Sequence, residues 1–247
     1  MKNVAFAALL AVAAAAAVPT SSAHAQAPGD VAIVGLWCDA TPMPKSFAFV
    51  ALRDLAAGTV ISFTDDGFFA AGTFRTSEGV QTYTVPAGGM AAGTVVTLTV
   101  DTTTSLDPST SGDQLFAFVG AIDASGMLTG TLLFGLNDDS TGFTGMGGWQ
   151  PDATNANTSS LPPALSTGNV NVALQERDDY AYTGITTGTR TELLAAIANP
   201  ANWTGSDTVQ TAFPTSFTVI RDVGDACTDG SQCGSTFCVD SVCCATA

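Results

Sequence analysis

Residues 47–67 read FAFVALRDLAAGTVISFTDDG, and this stretch decides the fold class. Two short runs of Val, Ile, Phe and Thr flank Ala56-Ala57-Gly58. β-branched and aromatic residues broken by glycine after a handful of positions are the mark of strands, not helices. The same entry returns at residue 91 as AAGTVVTLTV. Ala-Ala-Gly is therefore read as a turn and Thr-Val as a strand start, one device used twice; two copies do not support a solenoid. Asp65-Asp66-Gly67 follows the first copy, and Asp-Gly favours a tight reversal there.

Working outward, similar runs recur as VAIVGLW, VQTYTV, QLFAFV, TLLF, VNVAL and SFTVI, with Gly, Pro, Asp, Asn or Ser between them. Threonines at every second or third place in TYTV and TVVTLTV suit a sheet with one wet face. The reading is an all-β domain over residues 26–223, an antiparallel β-sandwich with a single core. One short helix is expected. Thr189 and Glu192 form a capping box ahead of LLAAIA, and Asn199-Pro200 ends it.

The N-terminus reads as a secretory signal over residues 1–25. Lys2 precedes an Ala-rich apolar run, and Ala23-His24-Ala25 supplies an A-x-A cleavage site. The run is too short for a membrane span, and no other stretch of the mature chain is long and apolar enough for one. The expected location is secreted, extracellular or at the cell surface. The whole chain has seven Lys+Arg against 22 Asp+Glu. Loss of Lys2 leaves six against 22, a formal −16, which argues against nucleic acid and anionic membrane as partners.

Cleavage also removes His24, the only histidine. Ser-His-Asp and Cys-His catalysis and His-ligated zinc are then excluded. No phosphate loop, no G-x-S-x-G elbow and no Asp-Thr-Gly or Asp-Ser-Gly triplet is present. Any enzyme built on this chain must work with carboxylates or with an oxygen-ligated metal.

The acids gather at apparent strand ends as Asp65-Asp66, Asp138-Asp139 (after Asn137) and Asp178-Asp179. Asp and Asn there are read first as turn formers and solvated charge. Calcium is the one cofactor that enters. If two clusters converge at one end of the sandwich, Asp65, Asp66, Asp138 and Asp139 become its candidate ligands. The long segment 141–169 is rich in Gly, Ser, Thr, Asn and Pro and contains Trp149. That tryptophan is read as pinning the loop to the body. If it is exposed, it is a candidate ligand-stacking residue.

The tail, residues 224–247, carries Cys227, Cys233, Cys238, Cys243 and Cys244, while Cys38 lies far upstream. Export implies disulfides, with zinc the alternative and the pairing open. Either Cys38 reaches the tail or one tail cysteine lacks a partner.

Two resemblances add to this. The tail spacing C-x5-C-x4-C-x4-C-C resembles cysteine-rich modules of exported myxobacterial proteins and the N-terminal cysteine motif of Dickkopf proteins. The stretches GDVAIVG, FAFVALRDLAAGTVISFTDDG, SGDQLFAF, LNDD, WQPDAT, LPPAL, ELLAAIANPANWTG and FPTSFTV together resemble an exported bacterial β-domain, loosely similar to the immunoglobulin-like sandwich of lamin tails. The resemblance implies an accessory or attachment module and brings no catalytic residues. The favoured function is a secreted, non-catalytic surface or matrix module that binds an extracellular protein or glycan. The alternatives are a carbohydrate-binding module using Trp149, Trp203, Tyr180 or Tyr182, and a glycoside hydrolase. The hydrolase needs two acids across a cleft, and Glu78, Glu176 and Glu192 are the only glutamates.

Overall fold

The structure is a computed structural model that describes residues 25–140, 148–225, 227 and 229–246. The signal expected over residues 1–25 and the first part of the 141–169 segment lie outside the described residues, apart from Ala25.

Two five-stranded sheets pack face to face. The first holds β1 (Val31–Trp37), β2 (Ser46–Ala51), β5 (Val95–Thr99), β9 (Asp179–Tyr182) and β11 (Trp203–Ser206), in the order β11-β9-β1-β2-β5. The second holds β3 (Val60–Thr64), β4 (Val80–Thr84), β6 (Gln114–Ile122), β7 (Leu128–Asn137) and β8 (Asn171–Ala173), in the order β4-β3-β6-β7-β8. The strand-like runs VAIVGLW, FAFVALR, TVISFT, VQTYTV, TVVTLTV, QLFAFV, TLLF and VNVAL fall on these strands, and SFTVI falls on β12 (Thr218–Ile220). Pairing is antiparallel except for β7 with β8, and for β12 with β10 (Thr187–Thr189).

β1 and β2 are buried along nearly their whole length because both faces of their sheet are covered. Phe47 and Phe49 of β2 meet Phe63 of β3 across the sandwich, with ring centroids 4.7 and 5.1 Å apart. On the other face Phe213 stacks on Trp37 at 4.1 Å, and the helix α1 (Arg190–Ile197) turns Leu193, Leu194 and Ile197 inward. The capping box at Thr189 and Glu192 forms as the sequence implies. The helix stops where Trp203 Nε1 donates to the Ile197 carbonyl. No helix among the described residues is long and apolar enough to cross a membrane.

The repeated Ala-Ala-Gly entries are one device. Thr59 N donates to Ala56 O, and Thr94 N donates to Ala91 O. Gly58 and Gly93 take φ of +78° and +90°, a region costly for other residues. Each turn delivers a strand, one to each sheet. Asp65-Asp66-Gly67, however, is not a tight reversal. β3 ends at Thr64 and β4 begins at Val80, so a long connection intervenes.

The tail is a small unit around the hairpin β13 (Phe237–Val239) and β14 (Val242–Cys244). Disulfides Cys227–Cys238 and Cys233–Cys243 staple it. These bonds occupy the sulfurs that a zinc site would need. Cys38 does not reach the tail. It is buried just beyond β1 as a free thiol, and Cys244 is the second free cysteine. Arg53 ties the tail to the body by pairing with Asp225 at 3.1 Å and with buried Asp30 at 3.5 Å.

Candidate functional site: a buried carboxylate group at one end of the second sheet

Sheet order builds the site. β3 lies between β4 and β6, antiparallel to both, and its last residue Thr64 pairs with Val80 and with Phe116. The residue leaving β3 and the residues entering β4 and β6 therefore share one end of the sheet. Those residues are Asp65, Glu78 and Asp113. One carboxylate oxygen from each lies within 4.8 Å of the other two. Asp65 and Asp113 are 0 % and 1 % exposed. Gly79 makes the approach of Glu78 feasible. Any Cβ there would fall 1.5 Å from the Thr104 carbonyl oxygen, so only glycine lets β4 start beneath that turn.

The cluster is held by its surroundings. Asp65 Oδ2 accepts from Asp107 N at 2.7 Å. Asp113 Oδ1 accepts from Gln114 N at 2.8 Å and from Gln114 Nε2 at 2.7 Å, while its Oδ2 accepts from Ser109 N at 2.8 Å. Gln114 is fully buried, and its amide nitrogen also reaches the carbonyls of Asp65 and Ala156. Three oxygens remain buried without a hydrogen-bond partner: Asp65 Oδ1, Glu78 Oε2 and Gln114 Oε1. Such atoms are costly to leave unmatched.

Burial, against the help of backbone donors, raises the Asp65 pKa to about 6. Burial together with the charges of Asp65 and Asp66 raises Glu78 to about 8. Burial first, then Asp65 and Asp138, holds Asp113 well above the usual carboxylate range. Three acids this close and this dry cannot all be ionised without a counter-charge. Arg75 is the cation that acts on Glu78, opposing the rise, and its Nη1 donates to Ala153 O at 3.1 Å, while Lys45 is engaged with Asp107 at 2.7 Å.

Of the acids singled out from sequence, Asp65 belongs to the group and the other three support it. Asp66 Oδ1 accepts from Ser77 N and Glu78 N at 3.1 and 3.0 Å, which fixes the segment that carries Glu78. Asp138 accepts from the Asp113 backbone N–H and from the Cys38 thiol. Asp139 Oδ2 accepts from Gln150 Nε2 at 3.0 Å. Asp113 stands between the two pairs, and Asp66, Asp138 and Asp139 serve as struts around it and Glu78. Glu78, Asp113 and Gln114 are the residues that sequence reasoning missed. The available signal was the placement of single acids just before two runs that pair with the run ending at Asp65.

Trp149 is 0 % exposed. Its ring stacks on Phe116 at 5.6 Å, and Nε1 donates to Asn171 Oδ1 at 3.1 Å. Tyr180, Tyr182 and Trp203 are likewise buried, each with its polar atom bonded to a backbone carbonyl. None of the four offers a stacking platform. No protein-family model matches the chain, and no curated protein and no solved structure is significantly similar to it.

Asp178 and Asp179 stand apart from the group, at the start of β9 beside Asp39. Asp179 Oδ1 accepts from Asp39 N at 3.4 Å, and its Oδ2 is buried without a partner. Burial, followed by the charges of Asp39 and Asp178, raises its pKa to about 6. A carboxyl raised in the folded state destabilises the fold once it must ionise. The cost is absent below the unfolded pKa, near 4, and complete above about 6. Asp179→Asn keeps the Oδ1 acceptor and removes the charge. It is expected to raise the melting midpoint at pH 7 by about 2–4 °C and to leave it unchanged near pH 4. An equal difference from the native chain at both pH values would refute an electrostatic origin.

Proposed function

We propose that this chain is an exported, lamin-tail-like β-sandwich module that works in attachment or binding at the cell surface or in the matrix, without catalysis. The observation that carries the reading is the sealing of its acids. With no histidine beyond His24, catalysis would fall to carboxylates. Of the carboxylates that do converge, Asp65 and Asp113 are closed to solvent, so no open cleft is flanked by a pair of them. Export is supported by the signal pattern of residues 1–25 and by the two tail disulfides, which persist in oxidising compartments. Burial of Trp149, Trp203, Tyr180 and Tyr182 favours a protein or polymer surface over single sugars stacked on aromatics.

Labelled protein added to cells of its own source is expected to bind the outer surface saturably, with competition by unlabelled protein. It is expected to turn over no member of a panel of glycosides, phosphoesters and peptides. Turnover of any panel member, or the absence of saturable binding, would remove the reading.

A further inference from the structure

The buried group at the end of the second sheet has the donor set of a metal site. Asp65, Glu78 and Asp113 each bring one oxygen within 4.8 Å of the others. A single ion bound at about 2.4 Å spans oxygens up to about 4.8 Å apart, so one Ca²⁺ can touch all three. A second observation comes from a neutral residue. Gln114 is fully buried, and its amide is seated between Asp113 Oδ1 and the Asp65 carbonyl, yet its Oε1 has no partner. Asp65 Oδ1 and Glu78 Oε2 are in the same condition. Unsatisfied buried oxygens on Asp65, Glu78 and the neutral Gln114, all at the same end of the sheet, are an arrangement that a cation completes and water-facing turns do not need.

We propose that Asp65, Glu78, Asp113 and Gln114 form a structural Ca²⁺ site that clasps the end of the sandwich. All the donors are hard oxygens. The nearby sulfur, Cys38, is turned to Asp138 instead, at 3.8 Å. That donor set suits Ca²⁺ and disfavours zinc and other soft-ligand metals. Mg²⁺ keeps several of its waters, and the buried Asp65, Asp113 and Gln114 leave room for few of them. The ion joins parts of the chain that are remote in sequence. Asp65 and Glu78 bound the β3–β4 connection, Asp113 ends the β5–β6 connection, and Gln114 Nε2 reaches Ala156 in the 148–170 segment at 2.8 Å. Asp107, whose N–H holds Asp65 Oδ2, lies in the same β5–β6 connection and pairs with Lys45, just ahead of β2 of the first sheet. Binding the ion therefore orders three loops and anchors one sheet to the other.

The inference is independent of the attachment reading. Loss of cell binding would leave it standing, and loss of ion binding would leave attachment untouched. The purified protein is stripped with a chelator, dialysed, and melted with CaCl₂, with MgCl₂ and with neither. At a hundredfold excess over Kd, Ca²⁺ is expected to raise the midpoint by about 5–10 °C, with Mg²⁺ giving much less. Titration calorimetry of the native chain is expected to give one Ca²⁺ per chain. Glu78→Gln and Asp65→Asn preserve volume and remove repulsion, so both are expected to fold without the ion and to lose the Ca²⁺ shift. A native chain whose midpoint Ca²⁺ leaves unmoved, or heat that fits no single site, overturns the proposal. So does a full shift retained in either variant, which would put the ion elsewhere.

Discussion

Trp149→Ala is expected to cost about 3–5 kcal/mol of unfolding free energy, a fall in melting midpoint of roughly 6–20 °C. The side chain is the largest fully buried one in the protein, and three losses coincide when it is removed. The indole stacks on Phe116, which itself packs edge-on against Phe74 at 5.4 Å, so the cavity opens inside an aromatic chain that cannot easily close over it. Asn171 Oδ1, on the parallel strand β8, loses its donor. Gln150, the next residue, loses the anchor that places its amide between Asn137, Asp139 and Ser159. Trp149→Phe keeps part of the ring packing and is expected to cost about half as much. Urea denaturation of both variants checks the order. A change below about 1 kcal/mol for the alanine variant would mean that the tryptophan is not a core residue.

The strands were legible because they carry their signal locally. VISFT is β-branched or aromatic at all but one position and SFAFVA at every second one or better, and the turn between them is written in glycine. Thr189 and Glu192 likewise announce the helix from a separation of three residues. β9 was hidden: DYAY is four residues long and opens on the acid pair that reads as a strand end, yet it pairs with β1 at the centre of its sheet. The site was half legible for a related reason. Asp65-Asp66 stands out in the sequence, but Glu78 and Asp113 are isolated acids, remote along the chain. Glu78 meets Asp65 because β4 returns to pair with β3, and Asp113 meets it because β6, after β5 has joined the other sheet, pairs with the opposite edge of β3. No local pattern encodes that choice of neighbour. That Trp149 pins its loop was legible from the general burial of large aromatics, but its partners were not, since Phe116 and Asn171 come from different strands.

The paired acids invite the view that Asp65 and Asp66 do one job. The geometry gives them different ones, and substitution separates them. Asp66→Ala is expected to destabilise the protein by about 2–4 kcal/mol, because the Ser77 and Glu78 N–H groups both lose their acceptor. Asp66→Asn is expected to fall within about 1 kcal/mol of the native chain. Its Oδ1 still accepts both backbone donors. Its new amide can donate to Thr64 Oγ1, which already gives its own proton to the Gly79 carbonyl at 2.8 Å and so has a lone pair free. The Asn variant also removes one charge that raises Glu78 and Asp65, which offsets part of any loss. Asp66→Asn should therefore keep the calcium-dependent rise in midpoint that Asp65→Asn abolishes. Melting both in chelator and in CaCl₂ decides the matter. If Asp66→Asn also loses the rise, Asp66 is a ligand and the tether account is wrong. If Asp66→Ala melts with the native chain, the segment carrying Glu78 is fixed by other contacts, and the pairing of β4 with β3 alone must place that carboxylate.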